Sequence, residues 1–416
     1  MLIVGMSGAG KTHWLRSVVR AAAENRTPGF RAHVFDVHGD IDVEQASTVL
    51  FSESTNHGIN PLVVDPDRHA GGVRKRVQGL IGAINRTSKQ LGSKQEAVLR
   101  NLLIDLYAAN GFYLDKPDSW RLHDGVQRRY PKKFPTLQDA QRFAAFRLKS
   151  MYLGTDEKGV VALEEVNKSA HRIHAKLAAL RKANGGDPEE AEKKDADLEK
   201  AIDAARAAYD RYLNEIRTGK ELENAIRYTS RDVLQSVVER LENLNGIGIF
   251  KPGTPPFDPD TAVHRYHLKA LGRDEQKLYA HFMMEQILRS AMNRGETKDV
   301  RDLIVLDEAS LHLDDGEDNI CNRIALEGRK FGVALVCASQ APTHFPEDFL
   351  SSVATKVVLG IDEMFWDSSI RKMRLPAEAL KFVVPRKRAV VQIKQNDGGR
   401  ADYAWIYLPG NYRHVS

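Results

Sequence analysis

Apolar residues at Leu2 to Val4 run into a small-residue, glycine-rich segment, and from Lys11 apolar positions recur at helical spacing through Ala23. That pattern predicts strand, tight turn and helix. RAHVFDVHGD predicts a second strand ending at Asp36, and TVLFSE a third short extended piece around Val49 to Ser52. From Val73 to Leu153 the period becomes helical, with Leu99, Leu102, Leu103 and Leu106 on one face. Between Ala162 and Arg217 the sequence is rich in Ala, Glu, Lys, Asp and Arg and is broken at Asn184 to Pro188. This predicts an antiparallel helical hairpin over about 162–217, a solvated spacer. Leu163, Val166, Ile173, Leu177 and Leu180 would face Leu198, Ile202, Tyr209 and Leu213 across it. The proline-rich KPGTPPFDPD stretch marks a boundary, after which AVHRYHLKAL reads as a strand and Glu275 to Arg294 as a helix. LIVLDEAS, FGVALVCASQ and TKVVLGID are apolar runs typical of buried parallel strands, the first two separated by a helix holding Cys321 to Lys330. The expected fold class is α/β: one core of residues 1–72 and 246–416, interrupted by an all-helical insertion at 73–245.

The first turn carries recognisable chemistry. Gly5-Met6-Ser7-Gly8-Ala9-Gly10-Lys11-Thr12 matches G-x-x-x-x-G-K-[ST] in full, with a strand before it and a helix after. Backbone N–H groups at such a helix start hold phosphates, and Gly8 and Gly10 allow close backbone approach. Lys11 adds a point charge toward the β and γ phosphates, and Thr12 offers a hydroxyl to Mg²⁺. Gly5, Ser7, Ala9 and His13 complete the expected nucleotide-binding stretch.

Leu303 to Leu306 run into Asp307-Glu308, placing two carboxylates at a strand's C-terminal tip, where open α/β sheets bind ligands. In that position Asp307 is expected to hold Mg²⁺ and Glu308 to polarise the attacking water. Gln340 ends the next strand and would report the γ-phosphate or orient the same water. A glutamate beside the metal aspartate points to ATP hydrolysis rather than transfer to a small molecule.

Composition narrows the class further. The chain has 416 residues, 61 Lys+Arg against 56 Asp+Glu, and two cysteines. No apolar run approaches the roughly 18–20 residues that span a bilayer, and no secretory leader pattern is present, so a cytoplasmic protein without membrane insertion is expected. Cys321 and Cys337 lack metal-ligand spacing and read as buried hydrophobes. Mixed charge permits a polyanionic partner without requiring one.

Three further segments carry a family resemblance. VFDVHGD (Val34 to Asp40) resembles the Asp-x-His-Gly-acidic signature of HerA-type proteins. EGRKFGVALVCASQAP (Glu327 to Pro342) resembles the helix end, sensor strand and terminal glutamine of the FtsK–HerA superfamily of ring-forming motor ATPases. GINPL (Gly58 to Leu62) with FPTLQDA (Phe134 to Ala140) is similar to the conjugative ATPases of type IV secretion, the TraC-like and VirB-class motors. The likeness covers the α/β segments and is poor across residues 155–245.

This resemblance implies a RecA-like P-loop core that uses ATP and Mg²⁺, assembles as a homo-hexameric ring and moves DNA as a translocase, with helicase-like or conjugative roles. It implies that Asp36 and His38 lie near the nucleotide, His38 as an orienting donor. It also implies that Arg329 is an arginine finger reaching a neighbouring subunit's ATP; read from position alone, Arg329 equally complements a helix dipole. Superfamily members normally carry a domain before the phosphate loop, whereas this sequence starts within the first strand. Two alternatives follow, a stripped motor or a truncated chain, and a nuclease or secretion-system partner is the candidate for supplying a docking domain. Arg74-Lys75-Arg76, Arg128-Arg129 with Lys132-Lys133, and Arg371 to Arg388, where seven of eighteen residues are basic, are the candidate DNA contacts. Two rival readings are an SMC-like repair ATPase, against which the sequence lacks an LSGGQ-type signature, and a non-motor ATP-binding switch.

Overall fold

A computed structural model gives the fold. It describes all residues except 70, 88–89, 124, 127–128, 154–156, 184–187, 216–226, 229, 314–318, 395–401 and 409–416. The chain forms two compact units, Met1–Ile59 with Ile247–Ser416, and Asn60–Gly246. Residues 60–72, expected with the first segment of the core, belong to the second unit.

The chain opens as β1 (Leu2–Gly5), α1 (Lys11–Glu24), β2 (Arg31–Asp36) and β3 (Ser47–Leu50). Next come α2 (Val73–Thr87), α3 (Ser93–Ala109), α4 (Leu137–Leu153), α5 (Glu157–Ala183), α6 (Pro188–Glu215) and α7 (Arg231–Gly246). It returns through β4 (Val263–His267), α8 (Arg273–Asn293), β5 (Asp302–Leu306), α9 (Ile320–Glu327) and β6 (Val333–Ser339). It closes with α10 (Glu347–Ser352), β7 (Thr355–Gly360), α11 (Trp366–Met373), α12 (Ala377–Phe382), β8 (Arg388–Ile393) and β9 (Ala404–Tyr407).

The strands form one sheet in the order β3-β4-β2-β5-β6-β1-β7-β8-β9. Every pairing from β3 to β7 is parallel, and β8 and β9 add an antiparallel edge. β1 and β5 are buried along their whole length, as their unbroken Leu, Ile and Val runs require when helices cover both faces. Ile3, Leu15, Val19, Val34, Val305 and Val336 share the core on the α1 side. Because the central strands are parallel, β1, β2, β5 and β6 all deliver their C-terminal ends to the same edge.

A buried ion pair ties β2 to β4. Arg265 donates to Asp36 Oδ2 from Nε at 2.9 Å and Nη2 at 2.7 Å, while Asp36 is 0% exposed. Both cysteines are buried, and burial pushes the Cys337 thiol up to about 12, which keeps it protonated and inert.

In the helical unit, α3 packs on α2 and α7, and α4 packs on α7. Leu99, Leu102, Leu103 and Leu106 are all buried there. Arg76, expected within an exposed basic stretch, is instead buried on α2, because Val73, Val77 and Leu80 turn that face inward. Arg128 lies outside the described residues. α5 and α6 run antiparallel, as the Glu165–Arg211 and Lys176–Asp197 pairs at 3.1 and 3.9 Å require. The break at 184–187 and the end of the expected hairpin at 216–217 are outside the described residues. The inward face of α6 differs from expectation: Tyr209 and Leu213 are 51% and 49% exposed, whereas Ala208 is buried. The less exposed stripe runs through Ala201, Ala205, Ala208 and Tyr212, one position off Tyr209 and Leu213.

His312, just past β5, is buried, and burial pushes it down to about 3, with the Lys277 and His281 charges adding to the shift. The folded chain holds it neutral, whereas the unfolded chain protonates it near 6.5. Its contribution is therefore complete above about pH 6.5 and declines as pH falls toward 3. Relative to wild type, His312→Gln should gain stability as pH drops through this window, by up to ~1.4 kcal/mol per pH unit. Urea denaturation of both proteins at several pH values checks this; curves that stay parallel contradict it.

Candidate functional site

The segment from Gly5 to Thr12 joins β1 to α1 at the C-terminal edge of the sheet. Gly8 and Gly10 have φ of 76° and 100°, in the left-handed region that favours glycine. Gly10 is the N-cap of α1 and supplies no side-chain acceptor, so the backbone N–H groups that open the helix are left for an anion. Met6 N–H donates to Gly360 O at the end of β7 at 2.8 Å, which pins the loop to the neighbouring strand. The Lys11 ammonium donates to Gly5 O at 2.7 Å and Met6 O at 3.2 Å. Burial lowers its pKa, while Glu308, Asp307 and Asp40 oppose the shift.

These residues line a cavity of about 880 Å³, within the usual range for small-molecule sites. Its wall includes Ser7, Gly8, Ala9, Gly10, Lys11, Thr12 and His13 from the loop and helix, with His38, Asp307, Glu308 and Gln340 from three other strand ends. Asp307 is 5% exposed, and among the described residues no donor reaches its Oδ2. Burial pushes its carboxyl up to about 7, helped by the negative charges of Asp40, Asp36 and Glu308 and opposed by His38. Oxygen atoms of Asp36, Asp40 and Asp307 lie within 4.8 Å of one another. Thr12 Oγ1 is 3.5 Å from Asp40 Oδ2. A buried oxygen without a donor, among carboxylates and a threonine hydroxyl, fits a hard divalent cation. Glu308 Oε1 accepts a short hydrogen bond from Ser310 Oγ.

The structure separates the remaining sequence-derived residues from this cavity. Gly5 is buried at the end of β1 and contributes its carbonyl to Lys11 rather than a cavity wall. Asp36 accepts N–H bonds from Gly39, Asp40 and Ile41 as well as the Arg265 fork, so its carboxylate organises the loop that presents His38 and Asp40. Arg329 is exposed in the 3₁₀ turn Gly328–Phe331 after α9, outside the wall of this cavity.

Three contributing residues escaped sequence reasoning. Asp40 is the acidic end of VFDVHGD, visible in the motif but without an assigned role. Arg265 sits in the strand VHRYH, whose sequence names no acidic partner for it. Arg386, which looked like part of a basic surface stretch, lines the cavity and donates from Nε to Gly8 O at 3.0 Å. No local signal marks it, because the contact joins residues at opposite ends of the chain.

No family model matches the chain. A stretch of 63 residues is 46% identical to the DNA double-strand break repair helicase HerA of Pyrococcus furiosus, covering 14% of this chain and 11% of that protein. VirB4 of Thermoanaerobacter pseudethanolicus superposes with a TM-score of 0.55 at 13% identity, over 98% of this chain and 87% of that one. The plasmid coupling protein TrwB in complex with ADP and Mg²⁺ superposes with a TM-score of 0.51 at 14% identity, over 98% and 84%. These superpositions show that the chain has the RecA-like P-loop fold seen in VirB4 and TrwB, and the match to HerA is confined to a short local stretch.

Proposed function

We propose that the chain is the ATP-hydrolysing subunit of a ring motor that moves DNA, as a HerA-like translocase or in conjugative transfer. The observation that carries the ATPase reading is the meeting in one cavity of an uncapped helix start, Lys11, Glu308 and an Asp307 whose Oδ2 has no donor among the described residues. Phosphate oxygens of ATP take the loop N–H groups and draw Lys11 from its two carbonyl acceptors, exchanging neutral partners for a charged one. Thr12 and Asp307 would hold Mg²⁺, which would offset charge on the phosphate oxygens. Glu308 accepts a proton from water as the water oxygen bonds to the γ-phosphorus. The bond from that phosphorus to the β–γ bridging oxygen breaks, and ADP leaves with the electron pair. Gln340 orients the water or the γ-phosphate from the end of β6.

Ring assembly rests on Arg329. Its exposure outside the cavity of its own subunit suits a guanidinium that completes the site of the next one. DNA as cargo rests on the local likeness to HerA and the fold shared with a plasmid coupling protein.

Lys11→Ala should abolish nucleotide binding. Glu308→Gln should keep it and lower turnover by ~10²–10⁴-fold. Fluorescent-nucleotide binding and phosphate release, with and without duplex DNA, measure both. Unchanged turnover in Glu308→Gln refutes the hydrolytic assignment.

Arg329→Ala should also lose turnover, by ~10³-fold or more. Mixed with Glu308→Gln, it should regain part of it, since some interfaces then combine an intact Glu308 with an intact Arg329. Mixtures no more active than the separate proteins contradict action across an interface.

A further inference from the structure

Arg386 is a cation beside a phosphate loop, and its setting is unusual. It is one of three non-glycine residues with positive φ among the described residues, at 63°. A side chain in that region is disfavoured, so the surrounding contacts must hold it there. They are visible. Val384 and Arg388 exchange backbone hydrogen bonds of 3.1 and 2.9 Å, which closes a tight turn around Arg386. Pro385 packs so near Gly360 that a Cβ there would lie 3.2 Å from the proline Cγ, and Gly360 O receives the loop's Met6 N–H. The turn is thereby pressed against the phosphate loop from the β7 side.

The side chain completes the arrangement. Its Cγ would lie 3.9 Å from a Cβ built on Gly10, and its Nε donates to Gly8 O at 3.0 Å. No carboxylate forms an ion pair with it among the described residues. With Nε engaged by the loop, the planar guanidinium has Nη1 and Nη2 as further donors, in the fork geometry that suits phosphate oxygens.

We propose that Arg386 is a phosphate ligand supplied in cis, binding nucleoside triphosphate in the loop of its own subunit. This rests on the reading of Gly5 to Thr12 as a triphosphate site and adds a residue to it. It also separates two arginine roles. Arg386 acts within one chain, independently of assembly, whereas Arg329 requires a neighbour. The turn before β8 thus becomes part of the nucleotide site.

The test measures affinity for a non-hydrolysable ATP analogue and for tripolyphosphate, with Mg²⁺, in wild type, Arg386→Gly, Arg386→Gln, Arg386→Lys and Lys11→Ala. Arg386→Gly and Arg386→Gln should weaken both probes by ~10-fold or more, at protein concentrations above and below any assembly threshold, and Arg386→Lys by less. Glycine also suits the positive φ, so Arg386→Gly should melt without nucleotide at or above the wild-type temperature while losing most of the nucleotide-induced rise. Equal binding by wild type and both neutral variants, alongside loss in Lys11→Ala, overturns the assignment. So does a weakening confined to the ATP analogue, since the contact would then be to the nucleoside. A lower melting temperature with unchanged affinity shows a structural clamp and also overturns it. Wild-type protein that binds neither probe removes the loop reading, and the proposal with it.

Discussion

Asp307 ends the central strand β5 with a carboxylate almost wholly removed from water and one oxygen that no donor satisfies among the described residues. An unsatisfied buried polar atom costs about 1–3 kcal/mol, and more when it is charged. Two further carboxylates stand within 4.8 Å, which raises the cost of ionising it. Removing Asp40 or replacing Asp307 with a neutral residue would relieve the crowding, yet the fold maintains it. A divalent cation held here would balance this charge. The cavity in front of Asp307 is lined by the elements that would hold those phosphates.

Sheet geometry brings the groups together. Parallel strands β1, β2, β5 and β6 end on one edge, so four segments distant in sequence place the phosphate loop, His38 with Asp40, the Asp307–Glu308 pair and Gln340 around one space. Asp36 fixes the segment after β2: its Oδ1 accepts from Gly39 and Asp40 N–H, and its Oδ2 from Ile41 N–H and the Arg265 guanidinium. Breaking a pair of this kind by removing one partner is costly, because the other charge stays buried. Its place is beside the site, holding the loop that faces it.

Much of the α/β unit is legible in the amino-acid sequence because its signals are local. Leu303 to Leu306, the VALVCAS run and the glycine loop announce buried strands and a phosphate turn through residue type and spacing alone, and an α/β core follows from their order. Contacts between distant segments are less visible. Asp36 reads as a ligand because it ends a strand; only β4, more than two hundred residues later, reveals the arginine that engages it. Arg386 belongs to a basic run by composition and to the cavity beside the glycine loop by topology, since β7 carries its turn to the loop. The α6 stripe misled for another reason. Ala201, Ala205, Ala208 and Tyr212 recur at the same helical spacing as Ile202, Tyr209 and Leu213, so apolar size alone does not tell which stripe is buried.

The most direct test of the account is the Mg²⁺ dependence of ATP-analogue affinity, titrated calorimetrically in wild type and Asp307→Asn. Mg²⁺ should tighten binding strongly in wild type, with little effect in Asp307→Asn, whose affinity for the metal-free analogue should be preserved or increased once the negative charge is gone. The same Mg²⁺ enhancement in both proteins would show that this carboxylate is not the metal's ligand and would contradict the account at its centre.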